Sequence, residues 1–167
     1  MLSREEALKT IFDMHGEDAI YVTNTGFMSR AVYAMYPDND NILYMQGSMG
    51  LSPCIALGMA LNSYKDVVAL VGDGSLLMHL GATHTLRDEA PSNLFVYVLD
   101  NRSHESVGGY RCAALEKEYP GITKIFRFDG SNTATNNITK GDKKDRVGID
   151  CKTNLKQVSE RLKHKYE

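Results

Sequence analysis

Two uninterrupted apolar runs, each ending abruptly in small or polar residues, constrain the fold of this chain more than any other feature. Residues 67–71 run into Gly72-Asp73-Gly74-Ser75, and residues 94–99 run into Asp100-Asn101. Strands that are buried on both faces of a parallel sheet are apolar along their whole length. Ligands of such sheets bind just beyond the carboxyl ends of the strands. We therefore expect both polar endings to face one crevice.

Strand-like and helix-like segments alternate along the chain, and this alternation predicts the fold class. It favours a single α/β domain over residues 1–167, with a doubly wound, mostly parallel sheet and helices on both faces. The stretch 129–153 is expected to be rich in loops. In the last helix, Leu155, Val158, Leu162 and Tyr166 are expected to share an apolar face. The predicted helices are 4–15, 29–35, 52–62, 76–89, 113–119 and a last one capped by Asn154, and the predicted strands are 19–22, 42–45, 67–71, 94–99 and 124–128.

The composition is that of an ordinary globular protein and argues against several classes of partner. A net charge of -2 over 167 residues gives no basis for binding nucleic acid or an anionic membrane. No apolar run is long enough to cross a bilayer. The three cysteines lack metal-ligand spacing, so we expect reduced thiols, with Cys54 a small core residue. The charged first residues are not typical of a signal peptide, and these features together favour a cytoplasmic location.

Three predicted strands are followed by glycine turns, at Gly26, Gly47 and Gly72, and we expect these turns to line one crevice. Asp73 lies between two glycines, which let the backbone approach an anion closely. Mg²⁺ prefers oxygen ligands, often one or two carboxylates together with substrate phosphates. Asp73 and the amide of Asn101 are therefore candidates for a magnesium–diphosphate site. The same residues equally allow a structural interpretation, in which Asp73 caps a helix and Asn101 forms a turn.

The motifs taken together resemble a known family. Gly72-Asp73-Gly74-Ser75, followed by Asn101 28 positions after Asp73, resembles the signature of thiamine-diphosphate enzymes. The resemblance covers roughly residues 3–128. Over this range the chain is similar to the diphosphate-binding half of phosphonopyruvate and sulfopyruvate decarboxylases. Three further segments carry it: Gly26-Phe27-Met28-Ser29-Arg30, Gly47-Ser48-Met49-Gly50 and His104-Glu105-Ser106-Val107-Gly108-Gly109.

The resemblance implies a role for each matching residue. Asp73, Asn101 and the main-chain carbonyl of Ser103 would hold Mg²⁺, and His104 would lie near the substrate as a catalytic residue. Met49 would separate the two rings of the cofactor, although a methionine in this position is also compatible with a plain core residue. The implied cofactor-binding residues are Thr25, Gly26, Gly47, Ser48, Met49, Gly72, Asp73, Gly74, Ser75, Asn101 and Ser103.

The chain departs from the family pattern at two positions beside the metal site. Asp100 replaces the first asparagine of the usual pair, and Arg102 stands where a smaller residue is common. The position of Asp100 is not normally a metal ligand, so the site should survive with an additional carboxylate nearby.

The resemblance also implies an activity. The chain would be a subunit or half of a decarboxylase that uses thiamine diphosphate and Mg²⁺, acting on phosphonopyruvate or, alternatively, as the beta subunit of sulfopyruvate decarboxylase. A glutamate that activates the cofactor would come from a pyrimidine-binding subunit or domain in a hetero-oligomer. The substrate would be a small anionic 2-oxo acid, and Arg102, Arg111 or His104 would meet its anionic head. Both arginines are also compatible with surface or interface positions, which is the favoured interpretation of Arg111.

A function of another class stays open from the residues alone, namely a non-catalytic cofactor- or phosphate-binding module. Two further classes are disfavoured. An aspartyl phosphatase needs an Asp-x-Asp motif after an early strand, and Gly72-Asp73-Gly74 does not supply one. A dinucleotide-binding fold needs Gly-x-Gly-x-x-Gly after its first strand, and that motif is absent.

Overall fold

A computed structural model of the chain describes residues 2–128 and 147–162. The described residues form one main sheet with helices packed on both of its faces. The helices are α1 (Arg4–His15), α2 (Phe27–Met35), α3 (Ser52–Leu61), α4 (Asp73–Met78), α5 (Ala82–Glu89) and α6 (Cys151–Arg161). The strands are β1 (Ile20–Thr23), β2 (Ile42–Tyr44), β3 (Val67–Gly72), β4 (Leu94–Asp100), β5 (Ser103–His104), β6 (Tyr110–Arg111) and β7 (Lys124–Arg127).

The main sheet has five strands in the order β2-β1-β3-β4-β7, and every pairing is parallel. Strands β5 and β6 form a small antiparallel pair of their own. The order reverses direction between β1 and β3, which makes this the topological switch point where ligands of open α/β sheets bind. The predicted parallel sheet is confirmed, and the carboxyl ends of all five strands lie along one edge.

The two faces of the sheet carry separate cores, as a doubly wound fold requires. Val68 and Leu70 point into a core shared with α1 and α2, and Val67 and Ala69 point into a core shared with α3, α5 and α6. Successive residues of a strand project to opposite faces, so a strand that is covered on both sides must be apolar throughout. The predicted layers, with helices on both faces, are confirmed.

Helix α1 begins and ends where its sequence predicts. The Ser3 hydroxyl accepts a hydrogen bond from the backbone N–H of Glu6, whose carboxylate in turn accepts from the backbone N–H of Ser3. This reciprocal capping box satisfies two backbone donors that a helix start would otherwise leave open. Ala7, Leu8 and Ile11 then bury one face of the helix against the sheet.

Two predicted helices were wrong. The expected helix 76–89 is divided between α4 and α5, because α4 ends at Met78 and α5 begins only at Ala82. Residues 113–119 form no helix at all. Their backbone is bonded elsewhere: Arg127 donates to the carbonyl of Glu116, and the backbone N–H of Glu116 donates to the Tyr119 hydroxyl.

The last helix begins earlier than predicted, at Cys151, inside the stretch expected to be rich in loops. Its cap is Asp150 and not Asn154, because the Asp150 carboxylate accepts from the backbone N–H groups of Lys152 and Thr153. Asn154 is buried instead and bonds the edge of β2: Tyr44 N donates to its Oδ1 at 2.8 Å, and its Nδ2 donates to the Ile42 carbonyl at 2.7 Å.

The predicted apolar face of that helix is partly wrong. Val158 is fully buried and Leu162 packs beside the same core, but the side chain of Leu155 is 55% exposed. Tyr166 and residues 129–146 of the predicted loop lie outside the described residues.

The cysteines are all free thiols, and Cys54 is exposed rather than part of the core. Helix α3 turns Ala56, Leu57 and Ala60 toward the sheet, and Cys54 falls on the opposite side. Within the described parts of the chain, none of the helices has the length and apolar character that a bilayer-crossing segment needs.

Candidate active site

A pocket lies at the carboxyl edge of the sheet, beside the switch point between β1 and β3. It is lined by the ends of β1, β3 and β4, by the first turn of α1 and by the segment that follows β4. Nine residues predicted from the sequence line it together: Thr25, Met49, Gly72, Asp73, Gly74, Ser75, Asn101, Ser103 and His104.

The end of β1 is joined to α4 by Asn24, a residue that no sequence motif marked as part of the site. Asn24 is buried, and its Nδ2 donates to the Ser75 hydroxyl at 2.6 Å. Its Oδ1 accepts from the backbone N–H of Gly50 at 3.4 Å. One side chain thus connects the glycine turns that follow β1, β2 and β3. An asparagine directly after a buried strand was the available signal for this role.

Asp73 is the buried carboxylate of the pocket, with only 3% of its surface exposed. Burial raises the pKa of Asp73, the backbone N–H of Gly74 lowers it, and the nearby Asp100 carboxylate raises it further. The thiol of Cys112 also bonds the Asp73 carboxylate, and its burial raises the pKa of Cys112 to about 11. Oδ2 of Asp73 has no hydrogen-bond partner among the described residues.

The turn after β4 places Asn101 beside Asp73 in the pocket. Its Oδ1 accepts from the backbone N–H of Ser103 at 3.0 Å, and Arg102 between them has a left-handed backbone with φ of 55°. Asp100 is almost fully buried and forms an ion pair with Arg127 at 3.3 Å. Asp100 also accepts from the backbone N–H of Arg102. The aspartate that replaces the usual asparagine therefore supports the shape of this turn.

His104 covers the Gly72-Asp73-Gly74 turn. A Cβ atom at Gly74 would lie 2.3 Å from Cε1 of the His104 ring, so only glycine leaves room for the ring in this position. Glu105, the next residue, forms an ion pair with the buried Arg4 of α1. Arg4 also lines the pocket, and no motif in the sequence predicted it.

In the glycine turns after β1 and β2, Gly26 and Gly50 have positive φ angles. Gly50 has φ of 90°, and a Cβ atom there would lie 2.4 Å from the Ser75 carbonyl oxygen. Gly26 has φ of 81° and lies against Ser106. Met49 lines the pocket, whereas Gly47 and Ser48 are exposed and lie outside its lining, Ser48 with φ of 55°.

The two arginines considered for the anionic head of a substrate, Arg102 and Arg111, are exposed and are not among the described residues that line the pocket. His104 does line it.

The residues present fit a metal ion bound together with a diphosphate. A buried carboxylate oxygen without a partner is costly unless a cation or a donor compensates it. Asp73 Oδ2 is such an atom, and the amide of Asn101 lines the same pocket. Gly72 and Gly74, on either side of Asp73, add no side chains of their own to the pocket lining, and the His104 ring lies against Gly74.

The family match covers most of the chain. Residues 22–147 match the family described as thiamine pyrophosphate enzyme, C-terminal TPP binding domain. Thiamine pyrophosphate is another name for thiamine diphosphate. A solved structure from Mycobacterium smegmatis, described as thiamin diphosphate-dependent, aligns with a TM-score of 0.58 at 20% identity, over 69% of this chain and 24% of that one. At that identity the likeness supports the α/β fold alone.

Curated relatives are more similar in sequence. Phosphonopyruvate decarboxylase of Streptomyces viridochromogenes is 39% identical over 133 residues, which cover 80% of this chain and 33% of that protein. Sulfopyruvate decarboxylase subunit beta of Methanothermobacter thermautotrophicus is 43% identical over 108 residues, covering 65% of this chain and 57% of that protein. The aligned region is thus only part of either relative. By the family match and the fold, the chain belongs to the thiamine pyrophosphate enzymes, as a C-terminal TPP-binding domain.

Proposed function

We propose that the chain is one subunit, or one half, of a 2-oxo acid decarboxylase that depends on thiamine diphosphate and Mg²⁺. The observation that carries the proposal is the unpaired Oδ2 of buried Asp73, in a pocket that Gly72 and Gly74 line on either side of it. The relatives support the type of reaction, because both proteins named above are decarboxylases. Since the chain spans only part of each, we assign the activity to an assembled enzyme.

The proposed ligands of Mg²⁺ are the carboxylate of Asp73, the amide oxygen of Asn101 and the main-chain carbonyl of Ser103. One charged ligand among neutral oxygens leaves positions for the phosphate oxygens that commonly complete the shell of Mg²⁺. The residues proposed to contact the diphosphate are Thr25, Gly26, Gly74 and Ser75, with Gly72 beside them as a further cofactor-binding residue.

At the other end of the cofactor, the proposed contacts come from the turn after β2. The carbonyl of Gly47 would accept a hydrogen bond from the pyrimidine amine, Ser48 would also contact the cofactor, and Met49 would lie between its two rings. The position of Met49 in the pocket lining supports its part of this proposal.

Thiamine diphosphate, when bound, supplies a thiazolium ring that takes up the electron pair left behind by departing CO₂. The chain's own residues hold the diphosphate end and shield it from water. His104, whose ring covers Gly74, is the proposed catalytic residue and meets the substrate. The glutamate that activates the pyrimidine ring is expected on a partner.

That partner is a pyrimidine-binding subunit or domain, and the working enzyme is a hetero-oligomer. Several relatives are named as beta subunits, which supports a division of the enzyme between chains. The favoured substrate is phosphonopyruvate, with sulfopyruvate as the alternative, since relatives of both names match the chain. The proposal includes a single domain over residues 1–167 and a cytoplasmic location, which the three free thiols support.

A thermal unfolding titration tests the cofactor site. The full chain is heated with Mg²⁺, with thiamine diphosphate and with both, beside Asp73→Ala. A ligand that binds only the folded state raises the unfolding midpoint. We expect the midpoint to rise with both ligands together in the parent protein and to stay unchanged in the variant. If Mg²⁺ does not raise the unfolding midpoint of the parent protein, with the partner also present, the assignment of the cofactor site is wrong.

The reaction is tested next, with the chain and its pyrimidine-binding partner mixed. We expect CO₂ release from phosphonopyruvate to exceed release from sulfopyruvate, and the reverse order selects the alternative substrate. Tight cofactor binding without turnover of either acid would favour the non-catalytic module.

A further inference from the structure

Arg4 is a buried charge that the proposed metal and diphosphate contacts leave without a role. Only 4% of its surface is exposed, and it lies in the first turn of α1, which the fold brings to the carboxyl edge of the sheet. There it lines the same pocket as Asp73 and Gly74. Arginine is among the residues least often fully buried, so its position calls for a physical reason.

The hydrogen bonding of the Arg4 guanidinium is incomplete. Nη2 of Arg4 donates to the carboxylate of Glu105, whereas the buried Nη1 has no partner among the described residues. A buried donor that lacks an acceptor costs about 1–3 kcal/mol, and more when the group is charged. A bound ligand that accepts a hydrogen bond from Nη1 would remove this cost.

The unpaired atoms of the pocket form a complementary pair. Buried side-chain atoms without a partner are few in the described residues, and two of them, Asp73 Oδ2 and Arg4 Nη1, belong to residues that line this one pocket. The first is an acceptor that suits a cation, and the second is a charged donor that suits an anion. A metal ion bound with a phosphate-like anion satisfies both.

The surroundings favour an anionic oxygen ligand over a neutral acceptor. The guanidinium is a planar fork of donors whose geometry matches phosphate oxygens. Glu105 fixes the orientation of this fork through Nη2 and leaves Nη1 for a ligand. Leu99 and Phe128, both buried, also line the pocket, and an apolar wall strengthens an ionic hydrogen bond.

We propose that Arg4 is an oxyanion-binding residue of this site, with Nη1 donating to a phosphate-like oxygen while Glu105 holds Nη2. The inference rests on the proposed function, because it adds a contact to the same pocket. The oxyanion has two chemical sources: the diphosphate of the cofactor, or the second anionic group of a phosphonate substrate.

Calorimetric titration of the full chain distinguishes these sources. Pyrophosphate with Mg²⁺ stands for the diphosphate, and methylphosphonate, added with Mg²⁺ and thiamine diphosphate present, stands for the substrate head. We expect Arg4→Met to weaken one of these two affinities by about tenfold or more, as for the loss of an ionic hydrogen bond. The affinity that falls identifies the source, and two unchanged affinities overturn the proposal.

Glu105→Gln separates ligand binding from a merely structural ion pair. If Arg4 binds an oxyanion, removing the competing carboxylate leaves the affinity of the responding probe equal or higher. If the pair only positions the segment after β4, Glu105→Gln weakens binding as much as Arg4→Met does, which overturns the proposal. Circular dichroism checks folding, and Arg4→Lys, which keeps the charge, replaces Arg4→Met if that variant does not fold.

The parent protein keeps this test distinct from the proposed function. Failure of the parent to bind either probe, with the partner also present, contradicts the cofactor site itself and Arg4's role with it. Binding by the parent that Arg4→Met leaves intact contradicts only the role of Arg4.

Discussion

The amide of Asn24 donates a hydrogen bond of 2.6 Å to the hydroxyl of Ser75, and this contact joins the carboxyl end of β1 to the first turn of α4. Both residues are buried, and both line the pocket. The pocket lies where the order of the strands reverses, and there the backbone N–H of Asn24 donates to the Leu70 carbonyl at 2.9 Å at the end of the β1–β3 pairing. The bond between the side chains of Asn24 and Ser75 adds a connection to α4 beyond that point.

Asn24→Ala should therefore affect both stability and the site. The variant leaves the Ser75 hydroxyl and the backbone N–H of Gly50 without their partner, at a cost of about 1–3 kcal/mol in the free energy of unfolding. We also expect weaker binding of thiamine diphosphate with Mg²⁺. Urea unfolding and calorimetry measure the two effects. Asn62→Ala, which removes an exposed hydrogen bond to the Gly58 carbonyl, is the matched control and should cost less. Equal losses in the two variants would contradict this role for Asn24.

Asp73→Asn should stabilise the metal-free protein at neutral pH. Burial raises the pKa of Asp73, so its favourable contribution is complete below the ordinary value of 3.8 and is lost as pH rises through the raised pKa. The ionised carboxylate therefore costs stability near pH 7, and asparagine removes that cost. The variant should unfold at a higher temperature at pH 7, with a gain that shrinks toward pH 4.

The same variant should lose the stabilisation by Mg²⁺ with thiamine diphosphate, because a neutral amide replaces the charged ligand. Asp38→Asn, at an exposed position, is the charge-matched control and should keep that stabilisation. A metal-free Asp73→Asn protein that is less stable than the parent at pH 7 would contradict the cost assigned to this carboxylate.

Gly50→Ala should destabilise the fold. The residue has φ of 90°, and its new Cβ atom would lie 2.4 Å from the Ser75 carbonyl oxygen. Backbone strain of this kind costs about 1–3 kcal/mol before the collision is counted. Gly58→Ala in α3 makes the same chemical change where nothing lies within 4 Å, and it should instead stabilise by about 0.5–1 kcal/mol. Denaturant unfolding of both variants checks the expected opposite signs.

Cys112 should resist alkylation in the folded protein. Burial and the neighbouring Asp73 carboxylate raise the pKa of Cys112 to about 11, and the thiolate is the reactive form. Cys54 and Cys151 are exposed and should react first with iodoacetamide at pH 8. Mass spectrometry of peptides measures the three rates. In urea the rates should converge, and a Cys112 that reacts as fast as Cys54 before unfolding would refute the shielding.

The sequence predicted the sheet better than the helices around it. Residues 67–71 and 94–99 are apolar without interruption, and such runs have few alternatives to a buried parallel strand. Residues 113–119 do not form the expected helix because tertiary hydrogen bonds override local propensity. The side chain of Arg127, on β7, donates to the Glu116 carbonyl. The prediction that Asn154 caps the last helix was wrong for a similar reason. Asparagine is typical of helix caps, but its side-chain amide can equally bond a neighbouring strand, as Asn154 does.

The candidate site was predictable where a motif of adjacent residues carries it. Asp73, Gly74 and Asn101 follow the ends of β3 and β4, and parallel pairing of the strands brings those ends together. Arg4 and Cys112 were not predictable, because each is linked to the site by a contact with a residue far away in the chain, Arg4 with Glu105 and Cys112 with Asp73. No local pattern marks such a contact before the fold is known.

The bonds from Asn154 to the Ile42 carbonyl and the Tyr44 N–H have a consequence for how the chain avoids aggregation. Strand β2 is an edge of the main sheet, and an open edge is a template for pairing with another molecule. Asn154 of helix α6 bonds this edge through its side-chain amide, in the way that the backbone of a neighbouring strand would. The edge is thus covered by a helix made more than 100 residues later in synthesis, so a nascent or truncated chain exposes β2 until α6 docks.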